Sequence, residues 1–386
     1  MTERVFERRT KGDEPVLAIC YDFDKTLSPD DMQAQGYIQS VNCDVKKFWE
    51  ESNKRAEDNE MDTNLSYMYQ MIEYSEGRHI FNKEMLMAYG AKVKLFPGVE
   101  EWFQRIKAYG KDYGVVVEHY VISSGLKEMI EGTKVAGEFE RIYASSFYYN
   151  DKGVAKWPAQ VVNFTNKTQF LFRIEKGVLD INDDKVNEFF EPDQLRVPFR
   201  NIVYIGDSDT DIPCMKLVNA NGGYSIGVYD PKTKEKSKVY KMLNDNRIQY
   251  YAPADYTADS ELDKLLLSII QNTATNERLK TYHFGCAKEA TQYAETQTKD
   301  EQKKRALIYK LLDSGSFATT HSIIKELSVF DSFTDEQAEF LAGVAIENGQ
   351  VYLILEDKDI HDFFSKLISK ATKKTRYIKR LVEELQ

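Results

Sequence analysis

Pro15-Val16-Leu17-Ala18-Ile19-Cys20-Tyr21 runs without a break into Asp22-Phe23-Asp24-Lys25-Thr26. The apolar run is short and continuous, not alternating. That pattern predicts a strand buried on both faces, as in a parallel sheet. Two carboxylates stand where the strand would end. On its own such a pair also serves to solvate a turn, so its meaning depends on what else the chain carries.

Two later stretches repeat the arrangement. Gly114-Val115-Val116-Val117-Glu118-His119-Tyr120-Val121-Ile122 ends at Ser123-Ser124-Gly125, and Asn201-Ile202-Val203-Tyr204-Ile205 ends at Gly206-Asp207-Ser208-Asp209-Thr210-Asp211. Residues 223–229 and 248–252 read as further strands, and Asn150-Asp151-Lys152-Gly153 as a hairpin turn within 139–164. Segments 99–109, 126–136 and 167–176 carry helical patterning. Strands alternating with helices predict an α/β fold with a Rossmann-like parallel sheet. Ligands in such sheets bind beyond the carboxyl ends of the strands. Asp22 and Asp24, Ser123, and Asp207 and Asp211 are therefore expected to converge on one site.

Those residue types suit phosphoryl chemistry. A carboxylate attacks phosphorus to give an acyl phosphate, and a second carboxyl protonates the leaving oxygen and later takes a proton from water. Asp207, Asp209 and Asp211, with Asp22, offer hard oxygen ligands of the kind Mg²⁺ prefers. Ser123-Ser124-Gly125, a hydroxyl with backbone N–H groups before a helix, is an anion cradle. A cation should complete the set, because a transferring phosphoryl group spreads negative charge over its oxygens. Lys167 is the preferred candidate and Lys176, at the other end of the same helical stretch, the alternative.

Composition narrows the class. The chain has 386 residues, room for two or three domains at roughly 150 residues each, and a net charge of −10. That charge argues against a nucleic-acid partner. The four cysteines form no CxxC or Cys/His cluster, so neither a zinc site nor a disulfide framework is signalled. No apolar run approaches the length of a membrane span, and the expected location is cytoplasmic.

Taken together, the motifs resemble the haloacid dehalogenase superfamily, in its phosphoserine-phosphatase-like branch. Its DxDxT motif is matched by Asp22, Asp24 and Thr26, its hydroxyl motif by Ser123, its lysine by Lys167 or Lys176, and its GDxxxD motif by Gly206, Asp207 and Asp211. The resemblance implies Asp22 as nucleophile and Asp24 as general acid/base. It implies a phosphate cradle of Thr26, Ser123, Ser124, Gly125 and Lys167. Mg²⁺ would be bound by Asp22, Asp24 (through its backbone carbonyl), Asp207 and Asp211. It also implies a catalytic core over 12–27 and 96–270, with a helical cap inserted over 28–95. A small phosphomonoester is the expected substrate. Dehalogenation is disfavoured, because such members lack the acid/base that Asp24 supplies.

Residues 275–386 lie outside that pattern and read as a mostly α-helical module, opened in part by the capping-box sequence Thr334-Asp335-Glu336-Gln337. It is read either as a partner-binding or self-association piece or as a buttress of the core. The alternatives to hydrolysis are a regulatory protein on the same scaffold and a phosphotransferase or mutase.

Overall fold

The computed structural model describes residues 8–78, 80–296 and 299–385. It contains a seven-stranded sheet of β1 (Val16–Tyr21), β2 (Val116–Leu126), β3 (Arg141–Tyr149), β4 (Ala155–Gln160), β5 (Ile202–Gly206), β6 (Tyr224–Tyr229) and β7 (Tyr250–Pro253). The spatial order is β4-β3-β2-β1-β5-β6-β7. Every neighbouring pair is parallel except β3 and β4, which form the hairpin around Asn150–Gly153. This is the expected α/β Rossmann-like core.

β1 is buried on both faces. Leu17, Ile19 and Tyr21 pack with Trp102 and Phe103 of the helix Val99–Asp112. Val16, Ala18 and Cys20 pack with Phe170 and Met215 on the other side. Tyr21 is in register with Val121 of β2 and with Ile205 of β5. The three adjacent strands are therefore in step at this level, where β1 and β5 end and β2 runs on, and this alignment positions the site.

The segment after β2 departs from expectation. The strand continues through Ser123-Ser124-Gly125 to Leu126, which pairs with Ser145 after a shift of register. The helix expected over 126–136 is reduced to Lys127–Glu131. The pairing of Leu126 keeps the hydroxyl segment extended, and the Thr133 hydroxyl donates to the Ile130 carbonyl just beyond the helix end.

Residues 28–95 hold the helices Val45–Asp58, Thr63–Ser75 and Lys83–Gly90, with shorter turns before them. Each of the three begins at a side-chain cap. Asp44 accepts from Lys47 N, Asp62 from Asn64 N and Leu65 N, and Asn82 from Met85 N.

The helix Glu261–Thr296 runs unbroken through the composition change near 275. The chain divides into two compact units, Met1–Leu279 and Lys280–Gln386. The second is helical and has its own core, in which Leu311, Ile324, Leu341, Phe364 and Leu381 are fully buried. Thr334 and Gln337 form the reciprocal capping box. Among the described residues no helix is long and apolar enough to cross a membrane.

Candidate active site

Asp22 leaves β1 with its backbone N–H donating to the Ile205 carbonyl at 3.0 Å, so the first carboxylate is anchored to the neighbouring strand. The chain then turns sharply. Lys25 takes a left-handed backbone (φ 57°), and the N–H groups of Leu27 and Ser28 return to the Phe23 carbonyl. The turn sends Asp24 away from the strand axis, where its Oδ1 accepts from Met32 N at 2.9 Å. Thr26 is fully buried, and its hydroxyl oxygen has no hydrogen-bond partner. Its backbone carbonyl accepts from Tyr256 Oη at 2.8 Å.

Lys167 reaches this point from the residue preceding the helix Thr168–Lys176. Its side chain is fully buried. Nζ lies 3.2 Å from Asp22 Oδ1 and 2.8 Å from Asp211 Oδ1. Asp211 is buried among donors. Its Oδ1 also accepts from Tyr204 Oη at 2.9 Å, and its Oδ2 accepts from the backbone N–H and the hydroxyl of Ser208, each at 3.2 Å. Gly206 is required here, because a Cβ at this position would stand 2.5 Å from Asp211 Oδ2.

Ser123, from β2, is buried and accepts from Gly125 N at 3.1 Å. A Cβ on Gly125 would meet Asp24 Oδ2 at 2.9 Å and Met32 Cε at 2.5 Å, so glycine leaves the space that Asp24 fills. The Ser124 carbonyl accepts from Tyr67 Oη at 2.8 Å, which ties the helix Thr63–Ser75 to the end of β2.

The electrostatics follow from crowding anions in a dry place. Burial pushes Asp22 up to about 6. Lys167 opposes this rise, and the Asp211 charge adds to it. Burial, then Asp211 and Asp22, pushes Asp207 up to about 7. Burial, then Asp31 and Asp22, holds Asp24 well above the usual carboxylate range. Burial pulls Lys167 down, but Asp211 and Asp22 outweigh it and hold the ammonium firmly protonated.

One buried ammonium does not balance this many carboxylates. Oxygen atoms of Asp22, Asp207 and Asp211 lie within 4.8 Å of one another. The set consists of hard oxygens with negative charge in excess, which fits a small divalent cation such as Mg²⁺. Asp207 lies 3.5 Å from Lys238, and Asp22 Oδ1 has the Lys167 ammonium at 3.2 Å but no hydrogen bond, so both retain acceptor capacity.

The structure thus brings together Asp22, Asp24, Thr26, Ser123, Gly125, Lys167, Asp207 and Asp211, with Ser124 at the edge. It does not bring Asp209, which is exposed, nor Lys176, whose ammonium donates to the carbonyls of Val186 and Glu188. Tyr204, Ser208 and Tyr256 were not singled out from sequence. Ser208 lay inside a motif already marked, but a tyrosine in an apolar run reads as core. A cavity of about 760 Å³ in the C-terminal unit is lined by His321, Ile324, Phe363 and Leu367 among others. Both ring nitrogens of that histidine are taken, by Asp359 and Asp357.

All of the converging residues fall within residues 19–216, a span of just over half the chain that matches the model of the haloacid dehalogenase-like hydrolase family. The chain belongs to that family. A similar curated relative, an uncharacterized protein of Borreliella burgdorferi, is 26% identical over 289 residues, which is 66% of this chain and 99% of that protein. Among solved structures, a hydrolase of the family from Salmonella enterica serovar Typhi is 16% identical, with a TM-score of 0.43 over 67% of this chain and 73% of that one. A probable phosphoserine phosphatase from Vibrio cholerae is 13% identical, with a TM-score of 0.44 over 68% of this chain and 67% of that one. A phospho-aspartyl intermediate analogue of phosphoserine phosphatase is 16% identical, with a TM-score of 0.39 over 66% of this chain and 98% of that one.

Proposed function

We propose that this hydrolase is a Mg²⁺-dependent phosphatase that cleaves a small phosphomonoester through a phosphorylated Asp22. The observation that carries the reading is the division of labour between two carboxyls two residues apart. Asp22 faces a buried ammonium, while Asp24 is turned aside, hydrogen-bonded to Met32 N and held well above the usual carboxylate range. One is suited to attack and the other to donate a proton.

In the first step an Asp22 carboxylate oxygen attacks phosphorus, the bond from phosphorus to the leaving oxygen breaks, and Asp24 gives its proton to that oxygen. In the second, Asp24 takes a proton from water as the water oxygen attacks phosphorus. The bond from phosphorus to Asp22 breaks, and both carboxyls return to their starting states. Lys167 and the Ser123 hydroxyl, which accepts from Gly125 N and keeps its own proton to give, hold the phosphoryl oxygens. Asp22, Asp207, Asp211 and the Asp24 backbone carbonyl would hold Mg²⁺, which supplies charge neutralisation between the anionic substrate and the carboxylates. Residues 28–95 act as the cap over the leaving group, with Tyr67 as their contact to the Ser124 carbonyl.

A panel of phosphorylated metabolites, assayed with Mg²⁺ and with EDTA, tests the reading. Turnover that requires Mg²⁺ and is absent from Asp22→Asn is expected. Turnover that survives either change would contradict it.

A further inference from the structure

Lys167 is shared between two carboxylates, and its distances to them are unequal, 2.8 Å to Asp211 and 3.2 Å to Asp22. The nearer partner does not depend on Lys167 alone. Tyr204 donates a second hydrogen bond to the same oxygen, Asp211 Oδ1. Lys167, Asp211 and Tyr204 are all fully buried, so no solvent competes for these bonds. A hydroxyl on a shared acceptor withdraws charge from it and weakens its hold on the other donor, and in a dry site such effects are amplified. Tyr204 comes from β5 two residues ahead of Gly206. Its backbone is fixed opposite Cys20 in the sheet, so the hydroxyl is delivered by a rigid element.

We propose that Tyr204 is a positioning residue for the phosphoryl-transfer reaction. By satisfying part of Asp211, it keeps Lys167 from collapsing onto that carboxylate and holds the ammonium within reach of Asp22 and of the phosphoryl group there. The inference rests on the phosphatase reading above and adds to it a residue outside the recognised motifs. Tyr204 donates to Asp211, itself among the residues that would hold Mg²⁺, so the Mg²⁺ requirement is measured apart from the hold on a transferring phosphoryl group, which its loss should weaken.

The test compares Tyr204→Phe with Tyr143→Phe. Tyr143 belongs to the same buried cluster, and its hydroxyl donates to the Leu179 carbonyl, away from the acidic site. Each variant loses one buried tyrosine hydroxyl, so both report the cost to folding. Turnover of an aryl phosphate, the Mg²⁺ concentration for half activity, orthovanadate affinity and melting temperature are measured for the wild type and both variants. Tyr204→Phe is expected to lose about tenfold in kcat and in vanadate affinity, the scale of one charge-assisted hydrogen bond. Its KM, read at saturating Mg²⁺, should stay within about twofold of wild type, as expected for an interaction that counts mainly in the transition state. Tyr143→Phe is expected to keep kcat and vanadate affinity. Unchanged kcat and vanadate binding in Tyr204→Phe would overturn the proposal while leaving the phosphatase reading intact. Equal losses in both variants would overturn it in favour of a structural role. A wild type without turnover would overturn the phosphatase reading and this one with it.

Discussion

Lys167 donates to Asp211 across 2.8 Å with both side chains fully buried. The same ammonium stands 3.2 Å from Asp22, so one cation links the ends of β1 and β5 to the helix Thr168–Lys176. A buried charge that loses its partner costs far more than the pair contributes. Lys167→Met leaves two buried carboxylates facing each other. The variant should lose about 3–5 kcal/mol of stability at neutral pH, the range for breaking a buried pair. Part of the loss should be regained near pH 5, where Asp22, raised to about 6 by burial, takes up a proton. Urea unfolding at both pH values checks this, and equal stability of wild type and variant at neutral pH would contradict it.

Gly206 stands against Asp211 closely enough that a methyl group would lie 2.5 Å from its Oδ2. Four donors hold that carboxylate in place, so it has no cheap way to move. Gly206→Ala is expected to cost about 1–3 kcal/mol of stability, the scale of overpacking in a filled interior, and to lower kcat by more than tenfold, since a displacement of about 1 Å at a reacting centre has effects of that order. Thermal unfolding and steady-state kinetics on one preparation read both.

His119 is on β2, in register with Ile19 of β1. Trp102 Nε1 donates to Tyr21 Oη at 2.8 Å, and that hydroxyl lies 3.0 Å from His119 Nδ1. Burial, with Lys107 adding to it, lowers His119 to about 3. A histidine depressed in the folded state binds fewer protons there than when unfolded. Its contribution to stability is therefore full above its unfolded value near 6.5 and is lost as pH falls through the interval down to about 3. The slope is about 1.4 kcal/mol per pH unit within that interval. The raised Asp22 and Asp207 act with the opposite sign at pH 4–7, so the difference between wild type and His119→Asn is the readout. That difference should shrink as pH falls from 7 to 4, and a constant difference would contradict the assignment.

Asp207 is the acidic residue of the cluster with the fewest protein donors, having Lys238 at 3.5 Å. Asp207→Asn should raise the Mg²⁺ concentration for half activity by at least about tenfold, as loss of a direct carboxylate ligand does in a site that holds its metal through only a few of them. Activity measured across a Mg²⁺ titration checks it. An unchanged titration would place the metal elsewhere.

Much of this was legible in the sequence, for a physical reason. A strand buried on both faces is mostly apolar, so a polar cluster tends to mark its end, and Asp22 and Asp207 stand just past such ends, whereas Ser123 sits inside a strand that runs on to Leu126. The choice between Lys167 and Lys176 was not legible. Lys167 precedes and Lys176 ends one nine-residue helix, and spacing does not say which end faces the sheet. Tyr204 was hidden because an apolar strand tolerates tyrosine for its ring, and its hydroxyl finds Asp211 only after the chain has turned. The short helix after β2 was over-read, since the local pattern does not reveal that Leu126 pairs with Ser145. The composition change near 275 likewise fell inside a helix that continues to Thr296.

The central claim is that Asp22 carries the phosphoryl group. Borohydride reduces an aspartyl phosphate to homoserine. The wild type is therefore mixed with a turned-over phosphomonoester and Mg²⁺, quenched in acid during the steady state, reduced, digested and mapped by mass spectrometry. Homoserine at position 22, absent without substrate and absent from Asp22→Asn, is the predicted result. Homoserine at another aspartate, or none while turnover proceeds, would contradict the account.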